Sequence, residues 1–106
     1  VLIRTRTGQW GEEGFFEEGA FAPSAGDWLI DNQVKCVGLD LANIDTHDNM
    51  AREVHMKILP VPIYIIENLV NLDQLPKDKH FTFSALPLKL KNATASPVRA
   101  VAIIND

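Results

Sequence analysis

The chain has 106 residues, 46% of them apolar and 23% charged, which is typical of one ordinary globular domain over residues 1–106. Its net charge is −4. Nucleic acids and anionic membranes both attract a concentrated basic face, so this charge argues against either as a partner. No basic segment followed by an apolar stretch opens the sequence, and the single cysteine, Cys36, permits no internal disulfide. We therefore expect a cytoplasmic protein.

Short apolar runs rich in β-branched residues predict the strands of the fold. They lie at residues 1–5, 34–39, 63–66, 81–90 and 97–104. The last two runs are separated by the turn-forming segment 92–96, which predicts a hairpin. Since the earlier strands alternate with helical segments, the sequence predicts an α/β fold with a mixed sheet.

Two helices are predicted between the first three strands. The first follows Pro23, where Ser24-Ala25-Gly26-Asp27 fits a capping box, and ends near Asn32. The second runs from Met50 to Leu59, because its apolar positions recur at helical spacing. This apolar face is formed by Ala51, Val54, His55 and Ile58. The prolines at positions 60 and 62 end the second helix.

The segment from residue 8 to residue 19 is rich in glycine and glutamate, which predicts a loop. It nevertheless contains Trp10, Phe15 and Phe16. Aromatic side chains are unusual in a solvated loop, so we expect these to pack against another chain or over a site.

His55 and Glu67 are the first candidates for chemistry. His55 lies on the apolar face of the second predicted helix, and Glu67 closes an apolar strand. Catalytic and binding groups collect at the carboxyl ends of strands in α/β folds. The tight turn between helix and strand permits the two side chains to meet. Patterning alone, however, favours a hydrogen-bonded core histidine and a solvated carboxylate.

A second candidate cluster is formed by Asp45, His47 and Asp48. Imidazole and carboxylate groups at close spacing are suitable metal ligands. Loops rich in Asp, Asn and Thr are also ordinary turn chemistry, and that interpretation is favoured here.

Several segments together resemble the family that includes cyclases, kynurenine formamidases (arylformamidases) and isatin hydrolases. They occur in the family's order and near its spacing over almost the whole chain. The most specific combination is Glu67-Asn68-Leu69, placed 12 residues after His55 and followed by the run Ala-Leu-Pro-Leu-Lys. The matching stretches are 1–5, 27–29, 37–40, 43–45, 55–69, 71–73, 85–89 and 95–100.

This resemblance implies a swivelling β/β/α fold and metal-dependent hydrolysis of an amide or lactam bond in a small-molecule substrate. In kynurenine formamidases that reaction belongs to tryptophan catabolism. The family holds zinc or manganese with a His-x-Gly-Thr-His-x-Asp-x-Pro motif in its N-terminal half and a His and a Glu in its C-terminal half. His55 and Glu67 match the second pair, so the resemblance implies that both are metal ligands. His47 matches no family ligand.

The sequence departs from the family in one respect. It contains no His-x-Gly-Thr-His-x-Asp segment. We therefore interpret the chain as the C-terminal half of such a hydrolase, with an incomplete metal site and no catalytic residue of its own. It would be inactive alone and would need the missing N-terminal half or a sister subunit. Uncovered strand edges predict a homo-oligomer.

Three interpretations stay open at this level. The chain is either one piece of a whole enzyme or a natural split member that works as a subunit. The alternative from a different class is a non-catalytic interaction or structural module that kept the fold and lost the chemistry.

Overall fold

A computed structural model describes residues 1–5, 11–13, 15 and 19–105 of the chain. They form two compact units, Val1–Asp73 and Gln74–Asp106. The prediction of a single domain over residues 1–106 stays a prediction.

The first unit contains a parallel sheet with two helices between its strands. Strands β1 (Leu2–Ile3), β2 (Cys36–Leu39) and β3 (Tyr64–Ile66) lie side by side in that order. Helix α1 (Pro23–Asp31) joins β1 to β2, and helix α2 (Glu53–Ile58) joins β2 to β3. Because all three strands run in the same direction, their carboxyl ends share one edge of the sheet.

The core of this unit lies where β2 meets the two helices. Val37 and Leu39 of β2 are fully buried with Leu29 of α1 and with Val54 and Ile58 of α2. These side chains come from positions that the apolar patterns of the sequence had marked. The first unit is thus held together by burial of one face of each helix against the central strand.

The prediction that a capping box at residues 24–27 starts helix α1 was wrong. Its first residue is Pro23 and its N-cap is Ala22, with no side-chain hydrogen bond at the cap. Proline is pre-set for the first helical position and has no N–H to satisfy, so the helix starts without help from Ser24. The carboxylate of Asp27 instead pairs with Lys57 of α2, at 2.8 Å between Nζ and Oδ1.

Helix α2 is shorter than its predicted span from Met50 to Leu59. It begins at Glu53, because Arg52 adopts a left-handed conformation with φ 49° and ψ 49°. Ala51 therefore lies outside the helix and is exposed, whereas Val54 and Ile58 are buried as predicted. Arg52 provides no side-chain cap for the helix.

The second unit is a hairpin, as predicted. Strands β4 (Thr82–Pro87) and β5 (Val98–Ile103) pair antiparallel, with Thr82 opposite Ile103 and Pro87 opposite Val98. The ladder ends at Pro87, earlier than the predicted position 90. Beyond it, the N–H of Leu88 donates to the hydroxyl of Ser96 at 2.9 Å instead of to a strand partner.

The predicted α/β class is confirmed, with parallel and antiparallel pairing found in separate sheets among the described residues. Phe15 is buried, at 4% exposure, within the chain itself. A contact with another chain is therefore not needed to explain the burial of Phe15. Trp10 and Phe16 lie outside the described residues.

Candidate functional site

The candidate site lies at the carboxyl edge of the parallel sheet, and α2 carries its first residue. His55 is in the first turn of α2, between the buried Val54 and the exposed Met56. Burial of Val54 and Ile58 orients the helix and leaves the imidazole of His55 at the margin of the core. Its side chain is 21% exposed, so it is neither a core histidine nor a surface one.

Glu67 follows β3 directly, and the backbone around it is held on both sides. The next residue, Asn68, has a φ of 60°, a conformation that Asn tolerates better than most residues. The N–H of Asn68 donates to the carbonyl of Leu41 at 2.9 Å, and that of Leu69 donates to Leu39 at 3.0 Å. The chain therefore bends sharply after β3 and places Glu67 beside the segment that follows β2.

The structure brings His55 and Glu67 together, as the sequence permitted. Nε2 of His55 lies 3.7 Å from Oε1 of Glu67, and the Glu67 side chain is 28% exposed. The same Oε1 accepts the backbone N–H of Ile44 at 3.0 Å, which fixes the carboxylate in this position. Their assignment as metal ligands remains a prediction from the resemblance.

Asp45 is a further member of this site. Its carboxylate is 2% exposed. Oδ1 accepts the N–H of Val54 at 2.9 Å, while Oδ2 accepts the N–H of His55 at 3.0 Å and lies 2.7 Å from Nδ1 of the same residue. One buried carboxylate thus holds both the start of α2 and the imidazole that α2 carries.

Burial opposes ionisation of Asp45, but its hydrogen bonds outweigh that effect. The N–H groups of Val54 and His55 and the imidazole of His55 together hold the pKa of Asp45 below its ordinary value. The carboxylate is therefore an ion at neutral pH. For comparison, burial raises the pKa of the Cys36 thiol, which is unfavourable for a nucleophile.

Sequence patterning had grouped Asp45 with His47 and Asp48, and the structure separates them. His47 and Asp48 are exposed, whereas Asp45 is buried. The clue available in the sequence was the apolar Ile44 next to Asp45, since a solvated turn has no need of a large aliphatic residue. Ile44 is fully buried, and the neighbouring Asp45 is buried as well.

The end of β2 carries another buried carboxylate. Asp40 is 6% exposed, and it accepts hydrogen bonds from the backbone N–H and the hydroxyl of Thr5. The Thr5 hydroxyl is 2.6 Å from Oδ1 of Asp40. This contact ties the segment after β1 to the end of β2 and stabilises the edge of the sheet on which the site is built.

The donor set of His55 and Glu67 fits a divalent metal ion. Two ligand atoms about 2.1 Å from one ion at a tetrahedral angle lie roughly 3.4 Å apart, close to the Nε2–Oε1 separation. An imidazole nitrogen and a carboxylate oxygen suit zinc and manganese alike. Within residues 1–5, 11–13, 15 and 19–105, however, no group of three or more His, Cys, Asp or Glu side chains is arranged to hold a metal.

Comparison with known proteins identifies relatives of the chain. No protein-family model matches the chain. A kynurenine formamidase of Delftia acidovorans is 41% identical over 104 residues, covering 95% of this chain and 47% of the relative. A kynurenine formamidase of Paracidovorax citrulli is 44% identical over 82 residues, covering 77% of this chain and 37% of the relative.

A solved structure described as a potential metal-dependent hydrolase with cyclase activity has the same fold. It superposes with a TM-score of 0.64 at 26% identity, covering 80% of this chain and 41% of that one. Over most of its length, the chain is similar to part of the cyclase and kynurenine formamidase proteins. The resemblance drawn from the sequence is thereby confirmed.

The similarity to these proteins is accompanied by a difference in length. The chain spans about half the length, or less, of the curated family members that it matches. An uncharacterised protein of Methanocaldococcus jannaschii shows the same relation, with 40% identity over 90% of this chain and 48% of its own length. In the part of the present chain that the structure describes, no helix is long and apolar enough to cross a membrane.

Proposed function

We propose that the chain forms part of a metal-dependent hydrolase that cleaves the C–N bond of an amide or lactam, in the manner of an arylformamidase. His55 and Glu67 are two of its metal ligands. The observation that carries the proposal is the 3.7 Å approach of Nε2 of His55 to Oε1 of Glu67 at the carboxyl edge of the sheet. The kynurenine formamidase relatives support a formyl amide as the class of substrate.

A divalent ion, zinc or manganese, would lower the pKa of a bound water and polarise the carbonyl of the substrate. The residues of this chain would hold and orient it. Nε2 of His55 would supply a nitrogen ligand and Oε1 of Glu67 an oxygen ligand, and the N–H of Ile44 that donates to the same Oε1 would hold it in place. Partial exposure of both side chains leaves one side open to substrate.

We infer that the remaining ligands and the general base come from a segment outside the described residues. A catalytic zinc site usually takes about three protein ligands besides water. In the described part of the chain, no group of three or more His, Cys, Asp or Glu side chains is arranged to hold a metal. The missing groups would lie in an N-terminal half of the same protein or in a sister subunit, so the chain alone would be inactive.

A metal titration tests the ligand assignment. We expect that the chain alone, after dialysis, retains well under one equivalent of zinc by mass spectrometry, because two ligands hold an ion weakly. Added Mn²⁺ should broaden the NMR resonances of His55 and Glu67 before any others. His55→Ala and Glu67→Gln should each abolish this selective broadening.

His47→Ala is the matched control, because His47 is an exposed histidine in the loop before α2. It should leave the broadening at His55 unchanged. Equal broadening at His47 and His80 would contradict the ligand assignment. Stoichiometric zinc retained through dialysis would instead show that the site is complete. Failure to bind any metal, even in a protein of full family length, would favour the non-catalytic alternative.

We further propose that the chain associates with itself or with its other half. Large apolar side chains of the second unit are uncovered, among them Leu86 at 74% and Leu88 at 59% exposure. Exposed apolar surface of this kind marks association sites. Light scattering on the chain at micromolar concentration should therefore give a mass above 11.8 kDa. A monodisperse monomer would count against the proposal.

A further inference from the structure

The imidazole of His55 faces a carboxylate at each of its ring nitrogens. Nδ1 lies 2.7 Å from Oδ2 of Asp45, and Nε2 lies 3.7 Å from Oε1 of Glu67. The first distance is a hydrogen bond and the second is too long for one. A neutral imidazole carries a single ring hydrogen, on one nitrogen or the other. The geometry therefore favours the hydrogen on Nδ1.

The carboxylate of Asp45 acts only as a hydrogen-bond acceptor. Both of its oxygens already receive backbone N–H groups, Oδ1 from Val54 and Oδ2 from His55. Its own N–H donates to the side-chain oxygen of Asn43 at 2.9 Å, which fixes the residue from the other side. Because Oδ2 accepts both the backbone N–H and the ring of His55, it also limits rotation of that side chain.

We propose that Asp45 is a positioning residue, which holds His55 in the tautomer protonated at Nδ1 and directs the lone pair of Nε2 toward Glu67. The expected effect on metal binding rests on the proposed function, whereas the expected tautomer of His55 does not. A ligating histidine whose other ring nitrogen donates to a carboxylate has a fixed orientation and a more basic ligating nitrogen, and loss of such a partner typically weakens metal affinity by about 10-fold or more.

NMR of the chain labelled with ¹⁵N at histidine tests the tautomer without any metal. At a pH where the ring is neutral, long-range ¹H–¹⁵N correlations should show Nδ1 of His55 protonated and Nε2 unprotonated. The reverse pattern in the unaltered chain would overturn the proposal. In Asp45→Asn, the amide offers a donor where the carboxylate had only acceptors. The pure Nδ1-protonated state should therefore be lost.

Titration with Zn²⁺ alone then measures the effect on ligation. The Nε2 resonance of His55 should shift on addition of zinc, and Asp45→Asn should weaken the apparent affinity by about 10-fold. Asp48→Asn is the matched control, since Asp48 is exposed in the same loop, and it should change neither tautomer nor affinity. Circular dichroism of each variant verifies that the fold is retained, and the tautomer of the unaltered chain decides the matter if Asp45→Asn does not fold.

The two proposals fail in different ways. An Nδ1-protonated His55 that does not respond to zinc would contradict the metal site and leave the positioning role of Asp45 intact. A zinc-dependent shift in a chain whose His55 is protonated at Nε2 before zinc is added would contradict the positioning role and leave the metal site intact. Unchanged zinc affinity in a folded Asp45→Asn would likewise contradict positioning.

Discussion

Asp45→Ala is expected to lower the free energy of unfolding of the chain by about 2–4 kcal/mol. The substitution removes the acceptor for the N–H groups of Val54 and His55 and for the imidazole of His55. The Val54 bond is fully buried, so this N–H would lose its partner without gaining water. Chemical denaturation followed by circular dichroism measures the loss.

Asp48→Ala provides the comparison, because it removes an exposed carboxylate from the same loop and should change stability by less than about 0.5 kcal/mol. If Asp45→Ala unfolds as easily as Asp48→Ala, Asp45 does not hold the start of α2. Because this test reads stability alone, its outcome does not depend on whether the chain binds a metal.

Ile58→Ala is expected to destabilise the chain by about 2–4 kcal/mol, since it opens a cavity in the core of the first unit. Ile58 is fully buried on α2 among side chains from α1 and β2. The same variant should weaken the ordering of His55, because burial of Ile58 helps to orient α2 in the core of the first unit. Denaturation and the NMR line width of the His55 ring report the two effects.

Met56→Ala is the control for this substitution. Met56 lies on the same helix and is 67% exposed, so its truncation removes little buried surface. We expect a change within about 0.5 kcal/mol. A loss of stability in Met56→Ala comparable with that in Ile58→Ala would indicate that another surface, such as a partner chain, covers the outer face of α2.

Asp45 and Glu67 act on opposite sides of His55 and also bind backbone on either side of the site. Asp45 holds the start of α2, and Glu67 holds the N–H of Ile44. Within the loop between β2 and α2, Glu67 thus holds the N–H of Ile44, and Asp45 of the same loop binds the first turn of α2. The candidate site is therefore part of what stabilises the first unit, and variants at Asp45 need a stability control before any loss of binding is interpreted.

The elements of the fold were predictable because their apolar residues follow the period of a helix or a strand. Val37 and Leu39 alternate along β2, and Val54 and Ile58 are four residues apart on α2, and all four are buried. The ends of the helices were not predictable in this way. The start of α2 depends on the left-handed conformation of Arg52 and on a carboxylate several residues upstream, neither of which a local pattern contains.

The sequence by itself determined the α/β class and the order of the strands and helices, and through family resemblance it marked His55 and Glu67 as candidate metal ligands. These are properties of periodicity and of residue type along the chain. Only the tertiary structure decided that Nε2 of His55 faces Glu67 and that Asp45, rather than His47 or Asp48, joins them. The physical reason is that a buried carboxylate takes its role from the N–H groups that surround it, and these are brought to Asp45 by the packing of α2 against the sheet.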